Sequence, residues 1–337
     1  MSVFTVLVIV VGLAMAFDIT NGFHDSANAV AALVATRAAT PAQALALASA
    51  GHILGPLLAG TAVADTVGGV VHVAPHETVT AIAAALTAAI AWNMVTWKFG
   101  LPSSSSHALV GGLVGAAIVA GGLSGVRWGG FSDGRPTGVF GVLAGLAISP
   151  VLGVAVGAGG IYIGRRLLRR ARREINGVIR KAEWVTASAL AFSHGANDAQ
   201  KTMGVVTLLL VAEGQLSEFA VPFWVRFAAA ACLTVGTALG GWRIVRTVGS
   251  GVYRMQPLDG LVSQGGSAAV ILVGAAVGAP VSTTHVVASG VVGVGLQQRA
   301  HHVHWAVVRE IGAAWIVTLP ISAAVAVFVY PLWSAVT

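Results

Sequence analysis

Two aspartates stand inside otherwise apolar stretches, and their surroundings repeat. Asp25 lies in Phe17-Asp18-Ile19-Thr20-Asn21-Gly22-Phe23-His24-Asp25-Ser26-Ala27-Asn28. Asp198 lies in Phe192-Ser193-His194-Gly195-Ala196-Asn197-Asp198-Ala199-Gln200-Lys201. Matching the aspartates also matches Gly22 to Gly195, His24 to Asn197 and Asn28 to Lys201. A charge at membrane depth costs at least about 2.5 kcal/mol, so each carboxylate should be paired, protonated or bound to a cation. Asn21, Asn28 and Asn197 supply amide oxygens, and Gly22 and Gly195 permit unwound backbone with freed carbonyls. Such hard oxygen ligands suit Na⁺ or Mg²⁺. The plainer alternative is an aspartate that only caps a helix after a break. Its occurrence twice, in repeat-related places, favours the cation reading.

A second pair of motifs follows in the same order. Pro102-Ser103-Ser104-Ser105-Ser106-His107 matches Pro280-Val281-Ser282-Thr283-Thr284-His285. Proline followed by hydroxyl residues is a helix-start signature. A helix N-terminus offers free N–H groups and a positive dipole end, which favours an anion. Two such ends meeting across a pseudo-two-fold axis, with Ser104, Ser105, Ser106, Ser282, Thr283 and Thr284 as donors, suit a small tetrahedral oxyanion such as phosphate or sulfate. Ordinary capping and interhelical bonding is the competing role.

Four histidines sit inside these motifs: His24, His107, His194 and His285. They could carry protons, since the unperturbed imidazole titrates near pH ~6.5, or serve as neutral partners that fix the chain. Lys201 stands where the first motif has Asn28. An ammonium beside Asp198 could take the place of a bound cation and suit that half to proton coupling. Snorkelling to the surface is the other reading. His301, His302 and His304 lie in a polar connection, where a surface role is favoured over a metal site.

These residues need elements that hold them in lipid. The chain has 337 residues, 56% hydrophobic and only 9% charged. Soluble domains carry about 25% charged residues, so the composition excludes an ordinary soluble enzyme and points to an all-α polytopic membrane protein. The single Cys232 rules out an intrachain disulfide and any cysteine-based zinc site. Apolar segments fall at about 3–36, 41–62, 77–100, 106–122, 137–164, 183–212, 221–241, 260–279, 284–297 and 304–332. The first is read as long, interrupted and retained, not as a signal peptide. Segments 106–122 and 284–297 are short, and each is either a span or half of a re-entrant hairpin.

Most of the net charge of +7 sits between Arg165 and Lys181. A basic run between apolar segments marks a cytoplasmic loop. It lacks the aromatic platform of a nucleic-acid binder, so no nucleic acid is expected as a partner. The alternation of basic connections puts both termini outside, although Arg127 and Arg135 fit it poorly. The chain therefore divides into a first membrane repeat (1–164), a basic cytoplasmic linker (165–182) and a second membrane repeat (183–337). Five segments per half is an odd number, so the halves would lie in opposite orientations, as in inverted-repeat transporters with broken helices at midplane.

The motifs Asn21-Gly-Phe-His-Asp-Ser-Ala-Asn28, Trp97-Lys-Phe-Gly-Leu-Pro-Ser-Ser-Ser-Ser-His107, Phe192 to Lys201 and Pro280 to His285 resemble those of the inorganic phosphate transporter (Pit) family, in its bacterial low-affinity branch. The resemblance covers nearly the whole chain. It implies a symporter with inverted repeats and Ser/Thr hairpins, not an enzyme, in a bacterial inner membrane and as a homodimer. It implies phosphate held by Ser104, Ser105, Ser106, Ser282, Thr283 and Thr284, and coupling cations held by Asp25, Asn28, Asn197 and Asp198. It implies no cofactor, a coupling ion that is H⁺ or Na⁺, and a divalent metal carried with phosphate. His24 and Lys201 depart from the Na⁺-coupled pattern and resemble the branch that moves phosphate with protons. A sulfate permease of the same fold, an Na⁺-coupled phosphate symporter, a passive channel and an intramembrane hydrolase are the rivals. The hydrolase lacks the Gly-x-Ser-x-Gly elbow.

Overall fold

The computed structural model describes the chain except Met1, Asp133, Gly134, Arg173 and Pro280, the last of which belongs to the second hydroxyl motif. In lipid the backbone must satisfy itself, so the apolar segments become helices. The first six are α1 (Val3–Ala35), α2 (Pro41–Leu58), α3 (Ala62–Gly68), α4 (Pro75–Phe99), α5 (Ser105–Gly121) and α6 (Gly138–Leu167). The next six repeat that order: α7 (Ile175–Ala212), α8 (Phe223–Leu239), α9 (Trp242–Arg246), α10 (Pro257–Ala276), α11 (Thr283–Arg299) and α12 (Trp305–Ser334). A small antiparallel ribbon, β1 (Gly130–Ser132) with β2 (Arg135–Thr137), precedes α6.

Local chemistry sets the ends. Thr40 and Gln43 form a capping box that brackets Pro41, and Gln256 and Asp259 do the same around Pro257. α4 stops at Gly100, whose φ of 68° is left-handed and is cheap only without a Cβ. By length and composition, six helices among the described residues can each cross a membrane, and up to eight spans result if each bent pair counts as one. This is fewer than the ten apolar segments of the sequence.

The breaks fall elsewhere than expected. α2 bends by 80° into α3, and α8 bends by 65° into the segment 242–251. The helices that carry the aspartates do not unwind: α1 runs unbroken through Gly22, and α7 through Gly195. The glycines serve close helix crossing instead. A Cβ on Gly22 would sit 2.3 Å from Leu233 O of α8, and one on Gly195 would sit 2.7 Å from His52 Cα of α2. Small residues let membrane helices approach at backbone distance. No carbonyls are released at either glycine, so the ligands near the aspartates are side chains.

α4 and α5 form one helical hairpin, and α10 and α11 form another. The foot of the first is tied by the backbone bridge between Val71 and Val126. The two tips meet head to head, with Ser104 Oγ 3.1 Å from Ser282 Oγ. Each hairpin also leans on the sixth helix of the other set, α5 on α12 and α11 on α6. Trp315 of α12 donates to Pro102 O and so holds the first tip.

The helix ends sort into two faces. On one, Trp184 donates to Ala38 O, Thr36 donates to Glu183, and Arg37, Arg180 and Arg254 line one cavity. On the other, the hydroxyls of Thr80 and Thr337 meet and Tyr330 donates to Glu77. The connection between α6 and α7 spans only residues 168–174. Much of the basic run is therefore carried on helix ends.

Candidate functional site

The hairpin tips place the hydroxyl motifs. Ser104 caps α5 and accepts from His107 N at 3.3 Å; Ser282 caps α11 and accepts from His285 N at 3.2 Å. Ser105, Ser106, Thr283 and Thr284 form the first turns behind these caps, and all are buried. The first N–H groups of a helix have no partner within it. Two positive helix ends thus face each other. The imidazoles of His107 and His285 pack together with centroids 4.8 Å apart, and His285 lies against Trp315 at 3.9 Å.

α1 and α7 bring the aspartates to the same place. Asp25 accepts from Ser105 Oγ at 3.1 Å and from Thr284 Oγ1 at 3.3 Å. Asp198 accepts from Thr283 Oγ1 at 3.5 Å, and Asn21 Nδ2 lies 3.4 Å from its other oxygen. The contacts Asp25–Ser105 and Asp198–Thr283 occupy corresponding positions of the two motifs. Each carboxylate therefore touches the helix tip of its own half. Asn28 donates to Thr284 Oγ1 at 2.9 Å, and Asn197 donates to Val281 O at 3.1 Å. The amide oxygens of Asn21, Asn28 and Asn197 are buried without a partner. Among the described residues, Asp25, His194 and Asp198 bring ligand atoms within 4.8 Å of one another, a group that could hold a cation.

Lys201 does not snorkel. It is 1% exposed, and its Nζ donates to Asp198 Oδ1 at 2.7 Å. The ammonium takes one flank of that carboxylate. Asp25 has no such partner; its close neighbour is His24, with Nδ1 2.7 Å from Oδ1.

Hydrogen-bond accounting places a hydrogen between His24 and Asp25. The Thr96 hydroxyl donates to Trp92 O, so its oxygen accepts from Ser103 and from His24 Nε2, 3.0 Å away. With the Ser103 hydroxyl on Thr96, His24 also carries hydrogen on Nε2 and a second hydrogen lies between Nδ1 and Asp25; with that hydroxyl turned to His24 Nε2, 3.3 Å away, the ring keeps only the hydrogen that faces Asp25. The second half follows the same logic through one more ring. The Thr237 hydroxyl donates to Leu233 O, so His52 Nδ1, 2.6 Å from it, is the donor. His52 Nε2 then accepts from His194 Nδ1 at 2.8 Å. His194 Nε2 is left 3.3 Å from Asp198 Oδ2, in ion-pair reach though too misaligned for a hydrogen bond.

His52, Thr96 and Thr237 were not singled out from the sequence. A polar side chain inside an apolar segment was the signal that could have found them. The structure brings His24, Asp25, Asn28, Asn197, Asp198 and Lys201 to the two hydroxyl tips, buries Ser106 behind the first of them, and leaves His301, His302 and His304 exposed beside Arg254 on the basic face.

Comparison with known proteins bears on this geometry. A model described as the phosphate transporter family matches residues 21–326. The probable low-affinity inorganic phosphate transporter of Rhizobium meliloti is 38% identical over 97% of this chain and 96% of its own. That of Bacillus subtilis is 37% identical over 97% and 96%. That of Mycobacterium tuberculosis (strain H37Rv) is 41% identical over 97% of this chain and 77% of its own. Among solved structures, the sodium-dependent phosphate transporter superposes with a TM-score of 0.87 at 23% identity, covering 99% of this chain and 100% of that one.

Proposed function

This chain belongs to the phosphate transporter family, and from that premise we propose that it is a proton-coupled inorganic phosphate symporter, with Ser104, Ser105, Ser106, Ser282, Thr283 and Thr284 as the phosphate cradle. It is a multi-pass membrane protein and not an enzyme. The observation that carries the reading is the head-to-head meeting of two capped helix ends at 3.1 Å, flanked by two aspartates. An anion entering there would replace the bond between Ser104 and Ser282 with bonds to itself and would take up free N–H groups from both ends. The Asp25 and Asp198 carboxylates beside it would repel that anion unless neutralised. A proton shared between His24 and Asp25, together with the Lys201 ammonium on Asp198, supplies the neutralisation. Binding of protons and of phosphate would then favour each other, which is what symport requires.

A hydrogen phosphate also keeps an O–H that a carboxylate can accept, which favours phosphate over sulfate at this site. The two hairpins, meeting tip to tip, support an inverted repeat in which one part rocks against the other. The positive-inside rule, with Arg37, Arg180 and Arg254 on one face, supports both termini outside. The family resemblance supports a homodimer in a bacterial inner membrane.

Radiolabelled phosphate uptake into proteoliposomes tests the reading under an imposed proton gradient, an imposed Na⁺ gradient, and neither. Accumulation with the proton gradient alone is expected. Accumulation with Na⁺ alone would overturn the coupling. Failure under both, with uptake of sulfate, would overturn the substrate. Na⁺ coupling stands as the second reading because the unpartnered oxygens of Asn21, Asn28 and Asn197 lie around the aspartates. The cation-holding group of Asp25, His194 and Asp198 likewise favours a divalent metal carried as part of the cargo; phosphate uptake with and without Mg²⁺ distinguishes that case.

A further inference from the structure

A third carboxyl lies in the buried centre and has no place in the scheme above. Asp18 is on α1, seven residues before Asp25, and is 0% exposed. Two turns separate the two aspartates, so they share one face of the helix. The Thr202 hydroxyl donates to Asp18 Oδ1 at 2.6 Å, and Oδ2 has no partner. The charged or titratable groups acting on Asp18 are Lys201 and Asp198 from α7 and the Cys232 thiol from α8. α2 and α4 bring no charged group into its range among the described residues.

Alignment of the halves makes Asp18 informative. With Asp25 on Asp198, Asp18 falls on Ala191 and Lys201 falls on Asn28. The first half thus has one extra buried acid, the second has one extra buried base, and the two sit near each other across α1 and α7. A buried centre tolerates little net charge. Lys201 balances Asp198, and a proton shared with His24 balances Asp25. Nothing balances an ionised Asp18 while Lys201 stays on Asp198.

We propose that Asp18 is a proton-binding site of the transport cycle, exchanging its proton against the Lys201 ammonium. In the arrangement seen, Asp18 holds the proton on Oδ2 and Lys201 pairs with Asp198. In the exchanged arrangement the O–H bond of Asp18 breaks, its proton passes to water on the open side, and the carboxylate takes Lys201 as partner. Asp198 is then released toward His194 and the cargo. The buried centre becomes more negative by one charge, matching the one proton lost. Thr202, next to Lys201 on α7, ties Asp18 to the helix that carries the ammonium.

This inference rests on proton coupling, and the experiment separates the two. Wild-type protein and Asp18→Asn are compared in proteoliposomes for phosphate accumulation under an imposed pH step and for exchange of internal against external phosphate, which moves no net proton. Asparagine keeps the shape and the Thr202 contact but holds no exchangeable proton. One symported proton gives up to about tenfold accumulation per pH unit. Asp18→Asn is expected to lose that factor and keep exchange. Equal accumulation with the same proton count in both proteins would overturn the role of Asp18 and leave proton coupling standing. Failure of the wild type to accumulate would overturn proton coupling and this site with it. If Asp18→Asn shows no exchange and so has not folded, Thr202→Val decides. Loss of its hydrogen bond should move the midpoint of the pH profile by about one unit, and an unmoved profile overturns the proposal.

Discussion

Gly22→Ala tests whether glycine holds Asp25 in place through helix packing. The added Cβ would lie 2.3 Å from Leu233 O and 2.9 Å from Thr237 N, both backbone atoms of α8 that no rotamer change can move. Carbon–oxygen contacts rest near ~3.3 Å, so α1 and α8 must part by about 1 Å. Overpacking of this kind costs about 1–3 kcal/mol. Asp25 lies less than one turn further along α1, with bonds of 3.1 and 3.3 Å to Ser105 and Thr284. A displacement of ~1 Å takes either bond out of hydrogen-bond range. The control is Gly12→Ala on the same helix, where a Cβ meets nothing within 4 Å. It should be neutral or gain up to ~1 kcal/mol of helix propensity. Thermal unfolding in detergent and phosphate uptake in proteoliposomes are measured for both. Gly22→Ala should lower the Tm and most of the uptake, and Gly12→Ala neither. A Gly22→Ala protein with wild-type Tm and uptake would refute the packing argument.

Four further substitutions read the site. Lys201→Met leaves the buried Asp198 without its ammonium, a loss of about 3–5 kcal/mol that should appear as a sharply lower Tm. Lys201→Asn restores the residue of the first half and opens a flank of Asp198 to a cation. Uptake stimulated by Na⁺ is the expected gain, and its absence under a Na⁺ gradient would count against Lys201 as a cation surrogate. Ser104→Ala and Ser282→Ala each remove one donor to a charged ligand and one helix cap; each should raise the KM for phosphate about tenfold or more and lower the Tm by the equivalent of about 1 kcal/mol. His52→Phe strips His194 Nδ1 of its partner at a cost of about 1–3 kcal/mol. A lower Tm and an altered pH profile of uptake are expected, and an unchanged profile would remove His52 from the proton path.

Much of this protein is written in local pattern. A charged fraction of 9% makes the chain a membrane protein, because backbone in lipid has to bond to itself and few charges can enter. Proline followed by Ser and Thr fixes the starts of α5 and α11, since capping is settled within four residues. The recurrence of the aspartate and Ser/Thr motifs announces two related halves and marks most of the side chains that later meet. What pattern could not decide was anything that depends on who lies alongside. Gly22 and Gly195 read equally well as points of unwinding, and only α8 and α2, packed at backbone distance, show that they are crossings. Lys201 reads equally well as a snorkelling side chain, until the 2.7 Å bond to Asp198 and its complete burial place it inside. His52 and Thr237 gain meaning only from His194, which is 142 positions from His52 along the chain. Asp18 gains its own from Lys201. Local propensity and hydropathy act over a few residues and were legible. The charge balance of the buried centre is a sum over α1, α2, α7 and α8, and the chain has to fold before that sum exists.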